Sequence, residues 1–268
     1  MKYYISDLHF GHKNVIKFDK RPFFNIDDME RTIIENWNNR VTNNDDVYIL
    51  GDISWYDLKG TIRVIKKLNG KLHLVKGNHD VYCNEQEFRK LFVEIKDYIE
   101  IPNIRINGKT RKMTGINAGL ILCHYPIPCF KNNYRGWYHF HGHVHNSYDA
   151  DVMDGAKEEL SVHYKKPMNM YNVGCMLDYM DYTPRTIEEI IGLSTTKNAH
   201  LPNKNITTDK GNNGRNSKAE GNYTPRIIEE IIEPSTTKNA HLPNKNITTD
   251  KGNNGRNSKA EGKSATHH

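Results

Sequence analysis

Residues 46–80 read DVYILGDISWYDLKGTIRVIKKLNGKLHLVKGNHD, and this stretch decides the fold. Asp46-Val47-Tyr48-Ile49-Leu50 is a short apolar run suited to a buried strand, stopped by Gly51-Asp52. Leu58 to Leu68 places Ile62, Ile65 and Leu68 on one helical face, and Gly70 follows its end. Leu72-His73-Leu74-Val75 is a second buried run, stopped by Gly77-Asn78. Strand, helix and strand in that order predict a layered α/β fold.

The same pattern extends outward. Tyr3-Tyr4-Ile5 reads as a strand ending at Ser6-Asp7, and Asp28 to Arg40 as a helix with Met29, Ile33, Ile34 and Trp37 on one face. Glu85 to Phe92 predicts a short helix. Tyr98 to Ile106 and Thr110 to Met113 flank Asn107-Gly108, a strong hairpin signal. Leu120 to Cys123, Tyr138 to His141 and Met170 to Val173 read as further strands, with little helix between them. Two packed mixed β-sheets flanked by helices are the expected arrangement.

Composition separates a core from a tail. Nearly all the Phe, Trp, Cys and Met of the 268 residues lie in the first two thirds. The remainder is too polar to offset its ordering entropy. Residues 181–221 and 222–262 are near-identical, differing only at Asp181/Asn222, Thr186/Ile227, Gly192/Glu233 and Leu193/Pro234. Two copies are too few for a solenoid. Each copy opens on Thr-Pro-Arg (183–185 and 224–226), which predicts a capping Thr, a Pro at the first helical position and one or two helical turns. The expected organisation is one domain over 1–191 and a low-complexity, disordered tail over 192–268, with the second copy able to compete for the first copy's docking groove.

The net charge of +6 without a long basic run argues against extended duplex nucleic acid as a partner. Cys83, Cys123, Cys129 and Cys175 show no CxxC spacing, so reduced thiols in the cytoplasm (a host's, if phage-encoded) are expected. No apolar run suits a membrane span, and the N-terminus has no signal-peptide pattern.

Five polar motifs close five expected strands: Asp7-Leu8-His9, Gly51-Asp52, Gly77-Asn78-His79-Asp80, His124, and Gly142-His143-Val144-His145. Ligands of open α/β sheets collect beyond the carboxyl ends of strands. Two carboxylates, one amide oxygen and four imidazoles meeting there suit two divalent ions, Mn first, with Fe, Zn or Ni also accommodated.

The ordered set resembles the calcineurin-like metallophosphoesterase superfamily, in its small single-domain bacterial and phage form, over about residues 1–191. The resemblance implies a four-layer α/β/β/α sandwich and hydrolysis of a phosphomonoester or phosphodiester. It implies that Asp7, His9 and His145 hold one ion, that Asn78, His124 and His143 hold the other, and that Asp52 bridges them. It further implies a bridging hydroxide as nucleophile and His79 as general acid. His12, Arg21 and Arg135 are candidate phosphate contacts, a surface role being the plainer reading of each arginine alone. Many family members carry Gly-Asp-x-x-Asp, whose last Asp orients the catalytic His; here that position is Trp55, leaving Asp57 or Asp80 to substitute. A non-catalytic scaffold on the same fold, as in the retromer subunit, is the competing expectation. A nuclease or cyclic nucleotide phosphodiesterase is another. The substrate expected is a small phosphate ester or nucleotide.

Overall fold

The structure, a computed structural model, describes residues 1–110, 112–113 and 116–197. The chain divides into two units, Met1–Ile206 and Thr207–His268, and every described residue belongs to the first. Of the tail expected to be disordered from residue 192, residues 192–197 instead continue a helix, and the rest, with the second copy of the duplication, lies outside the described residues.

In chain order the elements are β1 (Lys2–Ile5), α1 (Val15–Phe18), α2 (Ile26–Asn38), β2 (Asp46–Ile49), α3 (Leu58–Ile65), β3 (Lys71–Val75), α4 (Gln86–Arg89), β4 (Glu94–Lys96), β5 (Tyr98–Ile101), β6 (Arg105–Ile106), β7 (Lys109–Thr110), β8 (Lys112–Met113), β9 (Ile116–Asn117), β10 (Leu120–Cys123), β11 (Tyr138–His141), α5 (Tyr148–Tyr164), β12 (Asn169–Asn172) and α6 (Ile187–Lys197). The result is a mixed α/β architecture. One sheet has the order β1-β2-β3-β4 and the other β12-β11-β10-β5.

The first sheet is parallel throughout, a correction to the expectation of two mixed sheets. A helix lies between each pair of its successive strands, so each chain return can run in the same direction. Only β5, which runs antiparallel to β10, makes the second sheet mixed. Alternation along the strands sorts their side chains. Leu120, Leu122, Tyr138 and Phe140 join the main core with Ile5, Val47, Ile49 and Leu74. Ile121, Trp137 and Met170 face the other way, toward Met153, Leu160 and Tyr164 of α5. Tyr4 meets Phe140 edge-on at 5.0 Å between ring centroids. Beyond β1, Ser6 bridges Gly174 in parallel, which brings the carboxyl ends of β1 and β12 side by side.

Several boundaries move for identifiable reasons. Helix α2 starts two residues early because the Asn25 side chain accepts from Asp28 N at 2.9 Å. In α3 the buried row is Thr61, Val64 and Ile65, with Ile62 only half-buried. Asn107 and Gly108 both have positive φ, as a two-residue hairpin turn requires. The first-copy helix begins at Ile187, not at Pro184: Thr183 Oγ1 donates to Asp181 O, while Thr186 and Glu189 bond reciprocally. The 17-residue α5 contradicts the expected scarcity of helix in this region. It buries no residue, so it carries no strong apolar period to read; the Ser147 cap and the acids Asp149 and Asp151 in its first turn were its only signals. Tyr134 is exposed.

Candidate metal centre

Parallel pairing in register carries β1, β2 and β3 to the same edge of one sheet, where Asp7, Asp52 and Asn78 follow their ends. The parallel pair β10 and β11 delivers His124 and His143 in the same way. Asp7, His9, Asp52 and His145 each offer a donor atom, all within 4.8 Å of one another: a buried Asp/His group able to hold a metal ion. His9 Nε2 lies 3.1 Å from His145 Nε2 and 3.7 Å from Asp52 Oδ2, and His145 Nε2 lies 3.5 Å from Asp7 Oδ1. On the other side of Asp52, His124 Nε2 is 3.5 Å from Asp52 Oδ2. Asn78 Oδ1 stands 3.0 Å from both His124 Nε2 and His143 Nδ1. All seven residues are thus brought together, with Asp52 Oδ2 between the two groups.

The donor chemistry tests whether a cation fits. His124 Nδ1 is 2.7 Å from the Leu50 carbonyl and must donate to it, so Nε2 of the neutral ring carries a lone pair. That lone pair faces the oxygens of Asn78 and Asp52. His145 Nδ1 donates to Asp19 Oδ1 at 2.8 Å, which turns the Nε2 edge of the His145 ring toward His9 and Asp7. Lone pairs aimed at one another repel unless positive charge lies among them. Donors at about 2.0–2.2 Å from one ion stand roughly 3–3.6 Å apart, the spacing found here. The residues therefore fit divalent ions.

Electrostatics agrees. Burial disfavours the charged form of His145, yet hydrogen bonds to Asp19 and Asp7 raise it to about 10. Burial would raise Asp7 too, but the hydrogen bond and charge of His145, with His124 and His9, hold it below the usual carboxylate range. His9 is pushed well below its ordinary value by burial, and its buried Nδ1 has no hydrogen-bond partner among the described residues. Asp7 and Asp19 thus favour positive charge at His145, and a metal cation would supply such charge.

Backbone conformation marks the same residues. Asp7, His9, Asp52, His143 and His145 have φ of 56°, 52°, 55°, 70° and 47°. Side chains rarely adopt this left-handed region, at a cost on the order of 1–3 kcal/mol each. Five such residues in one cluster show that the fold spends stability to aim these donors. Gly142 makes room for them: a Cβ there would collide with Asp7 Oδ2 and Ser6 Oγ.

Three residues support the cluster in ways that local spacing in the sequence does not signal. Asp19 orients His145 from a distance of 126 residues along the chain, which no local spacing signals. Asp80 accepts from the backbone N–H groups of Asp52, Ile53 and Gly77, locking the β2 and β3 turns together. Ser6 Oγ donates to Asp7 Oδ2 at 2.6 Å. Carboxylate support of a ligating imidazole tunes metal affinity by about 10–100-fold. Asp19→Asn, which keeps an acceptor and loses the charge, is accordingly expected to weaken metal binding within that range in a metal titration. Unchanged affinity would remove Asp19 from the centre.

His79 lies beside the cluster with its side chain 38% exposed and Nε2 4.0 Å from Asp52 Oδ2. Its backbone N–H donates to Asp52 Oδ1. Neither expected carboxylate orients its ring: Asp57 caps α3 through Gly60 N, and Asp80 is taken by the turns. Trp55 packs on it instead, with centroids 4.4 Å apart, and stacks on His12 at 4.2 Å. His12 therefore borders the site, 5.5 Å from His9 between rings. Arg21 does not face substrate. It is buried, paired with Asp19, and donates to the carbonyls of Asp7 and Leu8, so it braces the ligand loop. Arg135 is exposed over the Tyr134 ring, and no contact joins it to the cluster. His139 and His141 are buried beyond the cluster, pushed by burial to about 4 and about 3. No helix among the described residues is long and apolar enough to cross a membrane.

No family model matches the chain. Among solved structures it is similar to the protein of unknown function AQ665 from Aquifex aeolicus, at 28% identity and a TM-score of 0.50, covering 72% of this chain and 98% of that one. The Gene 66 protein of Mycobacterium phage D29 is 24% identical over 176 residues, 58% of this chain and 84% of that protein. The uncharacterized protein MJ1445 of Methanocaldococcus jannaschii is 36% identical over 145 residues, 53% of this chain and 68% of that protein. The chain belongs to the same family as MJ1445.

Proposed function

We propose that the chain is a metal-dependent phosphoesterase of the calcineurin-like type, built as the four-layer sandwich of that superfamily and using two divalent ions, with Mn as the first candidate. The observation that carries this is the cluster of inward lone pairs from five strand ends, divided by Asp52 into two groups. Asp7, His9 and His145 would hold one ion, Asn78, His124 and His143 the other, and Asp52 both. When bound, such a pair clamps the oxygens of a phosphoryl group and acidifies water to a usable nucleophile.

The chain's own residues supply the rest. His79 is exposed enough to reach a leaving oxygen and sits outside both groups, so its ring is free to carry a proton there. Its backbone bond to Asp52 Oδ1 fixes the distance between acid and cluster. Trp55 limits the swing of the ring.

The test is a substrate panel with the Mn-loaded protein: aryl phosphates, bis-aryl phosphates, cyclic nucleotides and dinucleotides. Hydrolysis of at least one class is expected. Silence across the whole panel would defeat the proposal.

A further inference from the structure

Beside the cluster lies a cavity of about 820 Å³, walled by one face of α5, by β12 and by Leu177 and Tyr179. Small-molecule sites span roughly 300–1,000 Å³. His145 and Asn146 line one end of it, so the cavity adjoins the metal centre. Its walls mix apolar surface, from Val144, Met153 and Met170, with polar groups.

Helix α5 is unusual in burying no residue despite its length. Only Met153, Leu160 and Tyr164 pack partly against the second sheet. A helix placed this way serves as the wall of a space more than as core.

The charges on that wall are divided. Asp151, Asp154, Glu158 and Lys165 are exposed, with water to solvate them, while Lys166 and Lys157 are half-buried, and Lys157 is turned against the Tyr171 ring. Its ammonium lies 4.9 Å from the centroid of the Tyr171 ring. The charge of Asp154 acts on it, without an ion pair among the described residues. Loss of solvent lowers its affinity for a proton, which Asp154 only partly offsets. An inward cation without an ion pair favours an anion in the cavity.

We propose that this cavity is a subsite for a second anionic group of the substrate, remote from the scissile ester, with Lys157 as its counter-ion. The substrate class is then an organic phosphate of nucleotide size carrying two anionic groups. This rests on the phosphoesterase proposal, because His145 belongs to both spaces.

The experiment is calorimetric titration of the Mn-loaded full chain with adenosine 3′,5′-bisphosphate, and with inorganic phosphate as the single-anion control. Lys157→Met is expected to weaken bisphosphate binding about tenfold and to leave inorganic phosphate within about twofold. Lys157→Arg, which keeps the charge, is expected to bind the bisphosphate nearly as the parent does, and this separates lost charge from a disturbed helix. Equal bisphosphate affinity in Lys157→Met and parent overturns the subsite. So does a parent that binds the bisphosphate no tighter than phosphate. Turnover of 4-nitrophenyl phosphate is read separately. Silence on that ester and on the rest of the substrate panel, with the Lys157 dependence intact, defeats the phosphoesterase proposal and leaves the anion subsite standing.

Discussion

Asp52→Asn is expected to leave a folded protein whose hydrolysis of an aryl phosphate falls by at least about 10³-fold. The expectation follows from the two jobs of this side chain. Oδ1 accepts from His79 N at 3.0 Å, and Oδ2 stands 3.7 Å from His9 Nε2 and 3.5 Å from His124 Nε2. An amide oxygen can keep the first bond. The amide NH₂ would then lie where Oδ2 was, donating into a space lined by imidazole lone pairs, and one negative charge is lost. The anionic Oδ2 alone stands between the two groups and has the lone pairs to serve both; the one neutral oxygen of the amide is taken by His79 N. Metal content should therefore drop below that of the parent by elemental analysis, while thermal unfolding stays cooperative. Substantial hydrolysis by the variant with full metal content would show that Asp52 does not join the two groups.

The origin of the site in the sequence is uneven. The seven cluster residues were legible because apolar strands have no structural need to end so regularly in Asp, Asn and His. Parallel register then carries those ends to one place. The first sheet was legible for a related reason, since Val47, Ile49, Leu72 and Leu74 are buried runs bounded by glycines. What sequence could not show is whatever closes through space. Asp19 reaches His145 across the fold. Asp80 spends its oxygens on backbone amides and not on a histidine ring. Arg21, whose guanidinium suits phosphate chemically, is committed to Asp19 and two carbonyls. Helix α5 escaped because it presents no apolar stripe. Periodicity detects only helices that bury a face, and this one borders a cavity.

His79→Ala separates acid catalysis from metal binding, and the expected result depends on the leaving group. The backbone N–H of residue 79 still bonds Asp52 Oδ1 in the variant, so the cluster and its metal content should survive. An alkoxide leaving group needs a proton as its bond breaks, and a positioned acid contributes about 10²–10⁴-fold to that step. Nitrophenolate departs without one. On the proposed chemistry, kcat for an alkyl phosphate ester should fall within that range in His79→Ala, while 4-nitrophenyl phosphate should lose less than about tenfold. Equal losses on both esters would assign His79 a structural part only. Trp55 sharpens the comparison. It stands where the metallophosphoesterase pattern that the sequence resembles has a carboxylate, and it holds the His79 ring by packing, with His12 stacked behind it. Packing restricts where a ring can move but, unlike a carboxylate, stabilises no charge on it. Trp55→Ala should thus reproduce a weaker form of the same leaving-group dependence, through misplacement of an intact acid. Trp55→Asp tests whether a hydrogen bond can replace the packing: it should recover alkyl ester turnover relative to Trp55→Ala without altering metal content. A Trp55→Ala variant that melts earlier, yet treats both esters alike, would show that Trp55 stabilises the loop and does not place the acid.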